Sequence, residues 1–65
     1  MFVVHVHRAG ESGKEERFAS QGTANHRAQT IADEYRGIGF RVDPVLNGYF
    51  VNGANVGIEV YTQIN

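Results

Sequence analysis

Between Thr23 and Tyr35 the apolar residues recur at every third or fourth position, and from Ile38 onward at every second, so the chain changes from helix to strand near residue 37. Ala24, Ala28, Ile31 and Tyr35, spaced 4, 3 and 4 apart, fall on one face of a helix of roughly three to four turns. Thr23 is the expected N-cap. Gly37 suits the left-handed position after the last turn, and Arg36 before it favours the negative end of the helix dipole. Arg27, Gln29, Thr30, Asp33 and Glu34 cover the other sides.

After the helix, Ile38, Phe40 and Val42 alternate with Gly39, Arg41 and Asp43. Asn47-Gly48 is the signal of a type I′ hairpin turn, and Gly53-Ala54 fits a type II′ turn. Two-residue turns at these places set Leu46 opposite Tyr49, Val45 opposite Phe50, Val51 opposite Val56 and Tyr49 opposite Ile58. Phe40, Val42, Leu46, Tyr49, Val51, Val56, Ile58 and Val60 then share one face. Pro44 would oppose Val51 where the ladder needs an N–H, which predicts an edge, a bend or a bulge.

Phe2-Val3-Val4-His5-Val6-His7 reads as a first strand, with Phe2, Val4 and Val6 inward and Val3, His5 and His7 outward. Ala9 to Glu16 is small, polar and glycine-containing, so a mobile loop is expected before a short strand at Arg17 to Ser20. The pattern predicts a single two-layer α+β domain over residues 1–65, ββαβββ, with one helix on an antiparallel sheet of four to five strands.

A chain of 65 residues buries only about 60% of its unfolded surface. With no cysteine it has neither disulfides nor a thiolate zinc site, so added stability would come from a second copy or a larger target. Six Lys plus Arg against seven Asp plus Glu give a net charge of −1, which disfavours generic phosphate binding. The longest apolar run, Met1 to Val4, is too short for a membrane span or a signal peptide, and a cytoplasmic protein is expected.

His5-x-His7 places two imidazoles about 7 Å apart on one strand face. A zinc site needs three or four ligands, and the sequence leaves the third to His26 or Glu11 without bringing either near, so no metal and no cofactor is expected. Ser12 and Ser20 lie in turn contexts, and His26 beside Arg27 is the lone candidate for acid/base work in a chain with little room for a pocket. Gly10-x-x-Gly13-Lys14 lacks phosphate-loop spacing, and Glu15-Glu16 follow it. Glu11, Lys14 and Arg17 instead make the loop a charged, adaptable surface.

The outward residues Val45, Phe50 and Tyr61, bordered by Arg41, Asp43, Asn52, Asn55 and Glu59, form an aromatic group with a polar rim, as a protein-binding hot spot requires. Phe50 opposite Gly57 lets the ring lie over a residue without a side chain. A homodimer through this face is the alternative occupant. Base stacking on Phe50 and Tyr61 with Arg41 and Arg8 would make a single-strand nucleic-acid binder, a reading opposed by the net charge and by Glu59 between the aromatics.

Thr23-Ala24 through Tyr35, Gly39-Phe40-x-Val42 and Asn47-Gly48-Tyr49-Phe50-Val51, about the last two thirds of the chain, resemble small phage- or mobile-element-encoded inhibitors, including some anti-CRISPR proteins. The resemblance implies a protein without a pocket that acts by occupying a surface of a host nucleic-acid-associated complex. It carries over no site residue. The absence of a strongly acidic surface implies direct blocking instead of nucleic-acid mimicry.

Overall fold

The computed structural model describes residues 1–64. In chain order its elements are β1 (Phe2–Arg8), β2 (Lys14–Phe18), α1 (Gln21–Gly37), β3 (Arg41–Val45), β4 (Gly48–Asn52) and β5 (Val56–Thr62). All strand pairs are antiparallel, and the sheet order is β2-β1-β5-β4-β3. The architecture is thus the α+β ββαβββ arrangement, with five strands. β5 is the central strand, and β1 lies between β2 and β5, joining the two ends of the chain.

Helix α1 lies on one sheet face through Ala24, Ala28 and Ala32, all buried, while Ile31 and Tyr35 are half-buried beside them. Small side chains every four residues let the helix approach the sheet closely. Under them lie Val4, Val42, Val51, Val56 and Ile58, flanked by Phe2, Val6, Phe18, Phe40, Tyr49 and Val60.

Both helix ends differ from expectation. Ser20 is the N-cap, in an extended conformation, and its Oγ accepts the Thr23 N–H at 3.2 Å, so Thr23 sits inside the first turn. At the other end Gly39, with φ 104°, takes the left-handed position expected of Gly37. Gly39 N–H donates to the Arg36 carbonyl and Phe40 N–H to that of Tyr35, a Schellman pair. Phe40 then meets Tyr35 edge-on, with ring centroids 6.0 Å apart. That aromatic contact favours the longer helix.

The second strand spans Lys14 to Phe18, so Lys14 and Arg17 belong to β2 and not to a mobile loop; only Ala9 to Gly13 connects β1 to β2. Glu16 on β2 pairs with Arg27 of α1 at 3.1 Å, tying this edge strand to the helix.

The first hairpin also departs from expectation. Val45 opposes Gly48, Pro44 opposes Tyr49 and Val42 opposes Val51, so the turn is Leu46-Asn47. Asn47 alone of the two has positive φ, at 62°, whereas a type I′ turn needs it at both positions. Gly48 serves closeness instead, because a Cβ there would collide with the Ile58 carbonyl of β5. Leu46, expected in the core, is 90% exposed. The shift moves each β3 residue by two, so the other side chains keep their faces. Pro44 lies on edge strand β3, where a missing N–H is tolerated. No helix of the described residues is long and apolar enough to cross a membrane.

Candidate functional site

The sheet face opposite α1 carries no second layer among the described residues, and its side chains follow from pleat and register. Across β2, β1 and β5, the row through Val3 holds Arg17 and Tyr61, and the row through His5 holds Glu15 and Glu59. In the next row His7 faces Gly57 on β5, and Gly13 sits close on its other side.

Polar side chains close over the Val3 row. The Tyr61 hydroxyl donates a short hydrogen bond to Glu15, and Arg17 Nε donates to Gln63 Oε1 at 3.1 Å. Arg17 also lies 3.8 Å from Glu15. Val3, expected to face solvent, is 0% exposed beneath this lattice. The hydrogen bond to Glu15, then desolvation and the negative charge of Glu15, hold the Tyr61 phenol above its ordinary pKa of 10.0.

Beside it, the His5 and His7 rings stack with centroids 5.0 Å apart. His7 Nε2 is 3.1 Å from Glu59 Oε1, and His5 Nε2 is 3.4 Å from the Ser12 carbonyl. One ligand atom from each of His5, His7 and Glu59 lies within 4.8 Å of the others. The atoms nearest to where a Gly57 Cβ would stand all belong to the His7 imidazole, the closest at 2.9 Å. His7 therefore occupies the gap that the sequence suggested for Phe50. Gly13 has φ 80°, and a Cβ there would come within 2.8 Å of His5 Nε2 and His7 Cβ. The third potential ligand is thus Glu59, because β5 pairs with β1. His26 lies on α1, across the sheet, and Glu11 is exposed in the β1–β2 turn.

Toward β4 and β3 the same face is apolar and open. Val45 is 49% exposed, Phe50 37% and Tyr61 39%, and Leu46 at the hairpin tip joins them around a shallow depression that reaches His7 and Glu59. Arg41 and Asn52 both bond to Asp43, at 3.2 and 2.7 Å, and form the rim toward the β3 edge. Asn55, with φ 55°, accepts the Ala9 N–H through its carbonyl and pins the second turn to the end of β1. Arg8 lies on the alternate pleat from His7, away from the aromatic group.

Of the residues proposed for a partner face, Arg41, Val45, Phe50, Asn52 and Tyr61 thus share the open sheet face, and Asn55 lies in the turn beside it. Lys14 is on the helix side of β2, and Arg17 belongs to the polar lattice. Glu59 borders the face as expected, and Leu46 adds to it, a residue that could have been found only by choosing the other two-residue turn. Ser20 caps the helix, and the Ser12 carbonyl meets His5. No family model, curated protein or solved structure matches the chain.

Proposed function

We propose that the protein is a non-enzymatic protein-binding module that docks through the open sheet face, with Leu46 and Phe50 as anchors and Val45 and Tyr61 around them. The observation that carries this reading is the apolar depression around these four residues, on a face that no other element covers among the described residues. Exposed aromatic and aliphatic groups set in a rigid sheet lose little conformational freedom on binding, which makes them effective anchors.

Glu59 borders the depression, and among the described residues its side chain meets no Lys or Arg, only the His7 ring. The complementary partner therefore presents an apolar protrusion beside a Lys or Arg. Exposed basic groups of that kind are common on proteins that handle nucleic acid, in keeping with an inhibitor that blocks a host nucleic-acid-associated complex. Direct stacking on nucleic acid is the weaker reading, because Glu15, Asp43 and Glu59 lie on the aromatic face and both Arg17 and Arg41 are held by carboxylates.

The test is capture from host extract by immobilised wild type, by Leu46→Ser/Phe50→Ala and by the helix-side control Gln29→Ala. A partner held by wild type and control but at least about tenfold more weakly by the double variant supports the reading. Equal retention by all three contradicts it.

A further inference from the structure

We infer that His5, His7 and Glu59 form a binding site for one divalent transition-metal ion of the zinc class, separate from the apolar anchors on the same face. The donor set is two imidazoles and one carboxylate, the chemistry that zinc, nickel and copper favour and that magnesium and calcium do not. Three protein ligands at a half-exposed site leave a fourth position for water. Sequence spacing supplies only the two histidines; the carboxylate arrives because β5 pairs with β1 and sets Glu59 directly opposite His5.

Tetrahedral coordination with bonds of about 2.0–2.1 Å holds ligand atoms about 3.4 Å apart. His7 Nε2 and Glu59 Oε1, at 3.1 Å, already stand near that separation. The remaining donor lies within 4.8 Å of both, a gap that side-chain rotation of His5 closes without backbone movement. His5 and His7 are half-buried and Glu59 is exposed, so the ligands have room to turn and an ion has a path from solvent.

The surroundings are shaped around the imidazoles. A Cβ at Gly57 would stand 2.9 Å from His7 Nε2, and one at Gly13 would stand 2.8 Å from His5 Nε2. At Gly57 a larger residue would press on the His7 donor atom, and at Gly13 it would press on the His5 ring and on the Val6 carbonyl. Gly13 is also set by its positive φ and by the Val6 carbonyl, but a simple cross-strand His–Glu pair needs neither the second histidine nor the gap at Gly57. The Ser12 carbonyl beside His5 Nε2 is placed to accept an N–H from that ring, the outer contact that orients metal-bound histidine and leaves Nδ1 as the donor.

The experiment is calorimetric titration of the full chain with zinc chloride, repeated with cobalt chloride while the visible absorption of tetrahedral cobalt is followed. The expected result is one ion per chain, undisturbed by excess magnesium. His7→Ala removes binding, Glu59→Gln weakens it by at least about tenfold, the loss that even outer-shell changes produce, and His26→Ala leaves it unchanged. Glu59→Gln keeps the size and exposure of the side chain, so its result stands even if a histidine variant disturbs the fold. Absence of binding by the wild type, one ion per two chains, full binding by Glu59→Gln, or loss with His26→Ala would each overturn the site.

Discussion

Val4 and Val3 are neighbours on β1, point to opposite faces and are equally buried, at 1% and 0% exposed, but for different reasons. Val4 lies under the Ala24, Ala28 and Ala32 stripe of α1 in an apolar core. Val3 has no helix above it and is shielded by Arg17, Tyr61 and Glu15, whose apolar stems and ring cover it while their polar ends bond to one another and to Gln63. The sheet thus has two ways to dry a valine, and the second operates only across β2, β1 and β5. Over β4 and β3 the polar bonds of Arg41, Asp43 and Asn52 stay at the rim, and Val45 and Phe50 remain open, with Leu46 at the hairpin tip. The bare region is therefore a local feature of one end of the sheet, and the proposed docking surface rests on this locality.

The contrast breaks most severely at Gly48, which lets β4 approach the Ile58 carbonyl of β5. Gly48→Ala is expected to cost about 3 kcal/mol in denaturant unfolding, at the upper end of overpacking effects, and to displace the hairpin that carries Leu46. A cost below about 0.5 kcal/mol would show that this close approach is not required. Next in size, Val3→Ala and Val4→Ala are each expected to cost about 1–3 kcal/mol. Only Val3→Ala should couple to Arg17→Ala, by about 0.5 kcal/mol or more in a double-mutant cycle. A near-neutral Val3→Ala would mean that the polar lattice opens in solution.

The smallest effect concerns Tyr61. Its pKa is raised above 10.0 chiefly because its hydroxyl donates to Glu15, so Glu15→Gln is expected to lower the midpoint in an ultraviolet absorbance titration. In sign, a folded-state pKa above the unfolded value adds stability that is present below the unfolded midpoint and is lost as pH rises through the folded one. An unchanged midpoint in Glu15→Gln would remove the Tyr61–Glu15 link from the account.

The helix, the ββαβββ order and the division of side chains between faces could be read from the sequence where local period is clear; β2, whose Lys14–Phe18 segment has no apolar alternation, was placed at Arg17 to Ser20 instead. The face assignments tolerated a wrong turn in the first hairpin, since moving it from Asn47-Gly48 to Leu46-Asn47 shifts pairing by two residues, and two is the period of the strand. Leu46 did not tolerate it, because a residue within the turn has no face. The helix ends were misplaced where two good signals lay close together, Ser20 against Thr23 and Gly39 against Gly37, and tertiary contacts chose between them. The cover that Tyr61 gives Val3 and the approach of Glu59 to His7 join residues more than fifty apart in sequence, brought close when β5 pairs with β1. Spacing within β1 reveals two imidazoles, and only the sheet order supplies the carboxylate.

The central claim, that the open apolar end of the sheet is where a protein partner docks, is tested most directly by measuring the affinity of a captured host partner for wild type and for Leu46→Ser/Phe50→Ala at matched folded fraction. Leu46 is 90% exposed, so its replacement should change stability by less than about 0.5 kcal/mol, and circular dichroism fixes the folded fraction of the double variant. The account predicts at least about a tenfold loss of affinity from the double variant and none from Gln29→Ala on the helix side. Unchanged affinity in the folded double variant, or a loss confined to the helix-side variant, would contradict it.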